Sequence, residues 1–163
     1  MSFGPYCYFN NGMSMKAVDP SYVPQSGEVV YATIPTNDQL TTDFPGFAAA
    51  LAAATAASNA LAAIAAGVEI TSSGTPTLNG TYSVDADSTA DINAVITYIL
   101  VNGNFPGNSS TMKWADVDGD FHTFNDVATF KAFASAIANY VAQVTIYGAG
   151  GGGSLPSNQI AIM

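Results

Sequence analysis

The sequence predicts an α+β protein: a small domain of two β-hairpins and two amphipathic helices, preceded by an extended arm and an Ala-rich helix. Three observations carry that reading. Between Gly67 and Val144, short stretches of period two alternate with longer stretches of helical period. From Ala48 to Ala66, thirteen of nineteen residues are alanine. Residues 1–44 hold four prolines, Pro5, Pro20, Pro24 and Pro35, which interrupt any helix. The expected organisation is an attachment arm over 1–44, a helix over 45–66, a compact domain over 67–145, and a Gly-rich tether with an apolar terminal peptide over 146–163.

Composition narrows the function classes. Only 9% of the 163 residues are charged, a low share for a globular surface, and one that suits packing against other chains. Three cations, Lys16, Lys113 and Lys131, stand against twelve acids, for a net charge of −9. Nothing could neutralise a row of phosphates, so nucleic acid is excluded as a partner. An anionic membrane surface is disfavoured on the same ground. Cys7 is the single cysteine, which precludes an intrachain disulfide, and it reads as a small hydrophobe among Tyr6, Tyr8 and Phe9. The opening MSFGPYCYFNN has neither the basic nor the apolar run of a secretion signal.

In the arm, two β-prone pieces survive the prolines, Tyr6–Phe9 and Glu28–Ile34. With Phe3, Tyr6, Tyr8, Phe9, Tyr22 and Tyr31, the segment is too aromatic for a disordered tail. Its rings are expected either to dock on a partner or to fold back onto the domain. Pro45 then opens a helix that Gly67 ends. Phe47, Leu51, Ala54, Ser58, Leu61 and Ala65 follow a 4-3-4-3-4 spacing, the seam of a short coiled coil. Three readings compete: a membrane span, packing within the chain, and close packing between copies. Thr55, Ser58 and Asn59 at mid-helix, with no flanking cation, weigh against the span.

Val68–Thr71 and Thr81–Val84 alternate as strands around the turn residues Gly74, Pro76 and Asn79-Gly80. Asp85 or Asp87 caps a helix striped by Ile92, Val95, Ile96, Ile99 and Leu100, which Asn102-Gly103 stops. Met112–Phe124 reads as a hairpin around Asp118-Gly119. A three-residue loop with left-handed Gly119 sets Trp114 opposite His122 and Met112 opposite Phe124, bringing large side chains together. Asn125 or Asp126 caps the last helix, whose stripe is Phe130, Phe133, Ile137, Tyr140, Val141 and Val144. Trp114, Gly119, Phe124, Phe130, Phe133 and Ile137 are the expected core set, closing around Trp114. Beyond the linker GAGGGGS, the peptide Asn158–Met163 suits strand addition to a neighbour, or lies on its own domain.

No residue is assigned to catalysis, a cofactor or a metal. Asp116, Asp118 and Asp120 alternate like the start of a calcium loop, but an EF-hand needs Gly where Phe121 stands and a bidentate acid where Val127 stands. Cation binding by these three carboxylates stays open. His122, the only histidine, lacks a G-x-S-x-G partner and reads as a packed, hydrogen-bonded residue. The glycines at 148–153 lack the Lys-Ser/Thr of a phosphate loop.

The segments GVEITSSGTPTLNGTYSVD, TYILVNGNFPG, KWADVDGDFHTF and IANYVAQV resemble a small domain of unassigned chemistry found in bacteriophage tail and tail-fibre-associated proteins. The likeness covers about residues 66–144, and Trp114, Gly119 and Phe124 match its recurrent structural positions. It implies a non-enzymatic virion component: a tail, fibre or baseplate accessory subunit, made in the bacterial cytoplasm, homo-oligomeric and bound to other virion proteins. Tyr6, Tyr8, Phe9, Tyr22, Leu51, Leu61, Ile160 and Ile162 are the candidate assembly contacts. The alternatives are a tail-fibre assembly chaperone and a receptor- or glycan-binding tip protein.

Overall fold

A computed structural model describes residues 5–163; Phe3, counted among the arm's aromatics, lies outside the described residues. The fold is α+β, and the chain divides into two compact units, residues 1–55 and 56–163.

The first unit is where sequence and structure part. In place of an extended arm, β1 (Tyr6–Phe9), β2 (Ser14–Ala17) and β3 (Val29–Tyr31) pair antiparallel in the order β2-β1-β3, and α1 (Asn37–Asp43) follows. The reversal between β1 and β2 is made by Asn10-Asn11-Gly12, all at positive φ. Both asparagines tolerate the left-handed region, as few other side chains do. Thr36 and Gln39 form a reciprocal capping box that starts α1. Tyr8, Leu40, Phe44 and Phe47 are buried together, so the arm's aromatics have a core of their own. The chain between β2 and β3 is pinned by Lys16, whose Nζ donates to Glu28 Oε1 at 2.6 Å and to the Tyr22 hydroxyl at 2.9 Å.

Helix α2 (Phe47–Ala66) begins two residues after Pro45 and runs from the first unit into the second. It is long and apolar enough to cross a membrane, with a mean hydropathy of 1.6, and 11% of its most apolar window is buried. Phe47 belongs to the first unit's core, whereas Ala60, Ala63 and Ile64 pack on the second. The 4-3-4-3-4 seam is therefore not one surface: its first member is consumed inside the chain, and Leu51 and Leu61 stay in solvent.

The second unit contains β4 (Val68–Ser72), β5 (Gly80–Tyr82), α3 (Ala86–Asn102), β6 (Met112–Ala115), β7 (Phe121–Phe124), α4 (Val127–Gly148) and β8 (Gln159–Ile162). Asp85 caps α3 by accepting the Ser88 N–H at 2.7 Å, and Asp126 caps α4 by accepting the Thr129 N–H at 2.7 Å. β4 pairs antiparallel with β5 and parallel with β8, giving the order β5-β4-β8. The terminal peptide is thus a strand of its own domain; Gly150, Gly152 and Gly153, all at positive φ, turn the chain back to reach it.

β6 and β7 form the expected hairpin in the expected register, Trp114 opposite His122 and Met112 opposite Phe124. Gly119 sits at φ +85°, as the three-residue loop requires. Phe124, Phe130 and Phe133 are fully buried and Ile137 nearly so, and they cluster with Tyr82 and Tyr140. Phe133 meets the Tyr82 ring edge-on at 4.8 Å, and Phe130 meets Phe124 at 5.0 Å. Trp114 is partly buried and touches this cluster at its margin, 5.8 Å from Phe130, so the core does not close around it. The α3 stripe is also narrower than its spacing suggests. Ile92 and Ile99 are buried, Val95 and Ile96 partly so, and Leu100 is 70% exposed.

Candidate functional site

The most constrained polar group in the second unit is built on His122. Residue 122 falls on the inward face of the short β7, beside Tyr82 (ring centroids 5.4 Å apart) and above the tight turn Pro76–Leu78. Its Nδ1 lies 2.7 Å from the carbonyl oxygen of Thr77 and its Nε2 3.0 Å from Oδ2 of Asp116. A carbonyl and a carboxylate both accept only, so both contacts are satisfied together when the ring carries both protons. Burial acts to lower the pKa of His122; the Asp116 and Thr77 hydrogen bonds outweigh it, and the net shift is upward. Asp116 is held below the usual carboxylate range, first by its bond to His122, against burial, and then by the loop amides.

The other oxygen of Asp116 accepts the N–H groups of Asp118 and Asp120 at 3.0 and 2.9 Å. One carboxylate thus closes the β6–β7 loop and anchors the histidine. That use accounts for Asp116, whereas Asp118 and Asp120 contribute only their backbone N–H groups to it. No cluster of three His, Cys, Asp or Glu side chains suited to a metal occurs among the described residues. His122 and Asp116 together link the hairpin to the β4–β5 sheet, and the Val117 N–H adds a bond to the Thr81 carbonyl at 2.8 Å. The arrangement holds two elements together.

The candidate assembly residues separate into two groups. Tyr8 is buried and meets Tyr31 edge-on at 5.6 Å, Tyr6 packs on the same cluster, and Phe9 lies under Lys16 at 5.4 Å. The Tyr22 hydroxyl donates to Glu28 Oε2 at 2.6 Å. Ile162 is buried in the second unit's core and Ile160 packs against it. These six are committed within the chain. Leu51 and Leu61 are 37% and 73% exposed, on a helix that bears no charge. A groove of about 330 Å³ flanks Leu61, floored by Ala57, Ala60 and Gly148. There α2 and α4 approach so closely that a Cβ on Gly148 would stand 2.6 Å from the Ala60 methyl.

The first unit also holds an open cleft of about 720 Å³, lined among others by Phe9, Asn10, Asn11, Gln25 and Asp43. Sequence reading missed it because it depends on α1. The signal that could have found that helix, Thr36-x-x-Gln39 before Leu40, is a capping box in plain view.

A family model described as "Domain of unknown function (DUF4376)" matches residues 46–148, more than half of the chain. The chain belongs to this family. The match begins just ahead of α2 and ends with α4, so it takes in the exposed helix, the His122–Asp116 link and the aromatic cluster. It leaves out the β1–β3 sheet and β8. No curated protein and no solved structure matches the chain.

Proposed function

We propose that the chain is a bacteriophage virion structural protein, a tail, fibre or baseplate accessory subunit that works through protein–protein contacts and not through catalysis. One observation carries the assembly reading. Helix α2 is 20 residues long, uncharged and apolar, yet only 11% of its apolar window is buried, with Leu51 and Leu61 outward. Exposed leucines on an uncharged helix, in a chain of net charge −9, are what a contact surface would use. The assignment to a tail rests on the resemblance of residues 66–144 to tail-associated domains.

Mass spectrometry of purified particles tests the reading, with a Leu61→Lys variant expressed alongside. Peptides of the parent chain are expected in the particle, and the variant is expected to be depleted from it. Absence of the parent chain from particles, with recovery bound to fibre protein in the lysate, would establish the assembly-chaperone alternative instead. The cleft at Phe9, Asn10 and Asn11 favours a second reading, a glycan-binding tip, because amides beside an aromatic edge suit a sugar. Isothermal titration of the full chain with host-wall glycans decides it, with binding lost on Asn11→Ala.

A further inference from the structure

The open cleft of the first unit has three sides, each fixed by the fold itself. The β1–β2 turn brings Asn10 and Asn11 to one side, and it packs hard against the start of α2. A Cβ on Gly12 would stand 2.9 Å from the Phe47 ring, and one on Gly46 would stand 3.0 Å from Cγ of Asn11. The segment from Gln25 to Val29 forms the second side. Asp43, at the end of α1, closes the third, where its Oδ2 accepts the Tyr31 hydroxyl at 2.7 Å. Walls set before a ligand enters cost little entropy on binding.

The two carboxylates of this lining differ in kind. Both oxygens of Glu28 are taken, Oε1 by Lys16 at 2.6 Å and Oε2 by the Tyr22 hydroxyl and the Gln25 N–H. The Lys16 ammonium offsets that charge. Asp43 has no cation within ion-pair distance among the described residues, and the neutral Tyr31 hydroxyl is its one side-chain hydrogen bond. The Gln25 side chain is uncommitted, since its bond to Glu28 comes from the backbone N–H. The Asn11 carboxamide likewise makes no hydrogen bond among the described residues, although Gly46 holds it in place.

We propose that the cleft takes an uncharged glycan, and that Asp43 is the residue that turns acidic glycans away. The inference rests on the glycan-binding reading of this cleft and names its ligand class. Each carboxamide offers both donors and an acceptor, whereas Asp43 offers acceptors only. A sugar hydroxyl donates and accepts, so a polyhydroxyl ligand matches the mixed set. A cation brings donors alone and leaves the carboxamide N–H groups unpaired. An anion brings acceptors alone and meets Asp43 with nothing to offset the repulsion. The cleft's volume of about 720 Å³ is in the range of small-molecule sites, and Phe9 and Pro45 give the C–H faces of a sugar an apolar edge.

The test is isothermal titration of the full chain with neutral trisaccharides of glucose, galactose, mannose and N-acetylglucosamine, and with their uronic-acid counterparts. A neutral sugar is expected to bind at least about tenfold more tightly than its acidic counterpart, with a gap that narrows as salt is raised. Asp43→Asn keeps an acceptor for Tyr31 and is expected to bring the two affinities within about threefold. Gln25→Ala leaves the backbone bond to Glu28 in place and is expected to weaken the neutral sugar about three- to tenfold. Equal binding of both sugars, or a preference that neither Asp43→Asn nor salt alters, overturns the inference and leaves the glycan reading standing. Binding of no sugar, or binding that neither Gln25→Ala nor Asn11→Ala weakens, removes the glycan reading and the inference with it.

Discussion

A Cβ placed on Gly80 would stand 3.1 Å from Nε2 of His122, and equally close to Oδ2 of Asp116. The strand β5 thus has a glycine where the charged pair of the hairpin presses against it. The β6–β7 hairpin and the β4–β5 connection are held together there by His122, Asp116 and the Thr77 carbonyl, in a space where an added Cβ would make its neighbours give by a few tenths of an ångström.

That link makes stability depend on pH in a definite direction. His122 is raised above its ordinary value of about 6.5, so its contribution is complete below that value and is lost as pH rises through the raised pKa. Asp116 is lowered, so its contribution is complete above the ordinary carboxylate range and is lost as pH falls through its depressed pKa. Denaturant melts across the neutral-to-alkaline range are expected to show declining stability in the parent. His122→Gln should flatten that decline, and an equal decline in both would assign it to other groups.

The aromatic cluster, rather than Trp114, sets the cost of core mutations. Phe133 is fully buried against Tyr82, Phe124 and Phe130, so Phe133→Ala is expected to cost about 3–5 kcal/mol. Trp114 keeps part of its surface in solvent, and Trp114→Ala is expected to cost only about 2 kcal/mol. Paired chemical melts measure the difference; a reversed order would move the centre of the core back to the tryptophan.

Gly67 ends α2 at φ +75°, and a Cβ there would meet the Tyr82 carbonyl oxygen at 2.6 Å. Gly67→Ala combines a disfavoured backbone conformation with a backbone clash that no side-chain rotation relieves. A loss of about 1–3 kcal/mol is expected, with Gly27→Ala, open on all sides, as the control for φ alone.

Glu28 provides an acid-side probe of the first unit. The Gln25 N–H, Lys16 and the Tyr22 hydroxyl, in that order, hold its carboxyl down to about 2. Its contribution is therefore present above the ordinary glutamate value and lost as pH falls toward that figure. Tyrosine fluorescence on acid titration should report the first unit loosening, and Glu28→Gln, which cannot titrate, should flatten that acid-dependent change.

Much of this protein can be read from local chemistry. The hairpin register came from pairing large side chains around Asp118-Gly119, and the α4 stripe from a spacing of three and four, because both depend on neighbours within about fifteen residues. Helix caps at Asp85 and Asp126 are local for the same reason. Tertiary structure decided the rest. Whether Tyr8 docks outward or inward depends on Leu40 and Phe44 more than thirty residues away, and on the capping box that places them. Ile162 lies beside Ser72 across some ninety residues of chain. Burial of Phe47 removed one residue from a regular seam, and only the fold could show which face of α2 was left in water. Sequence determines what each segment can form; which apolar faces stay uncovered is settled by competition among all segments for the same partners.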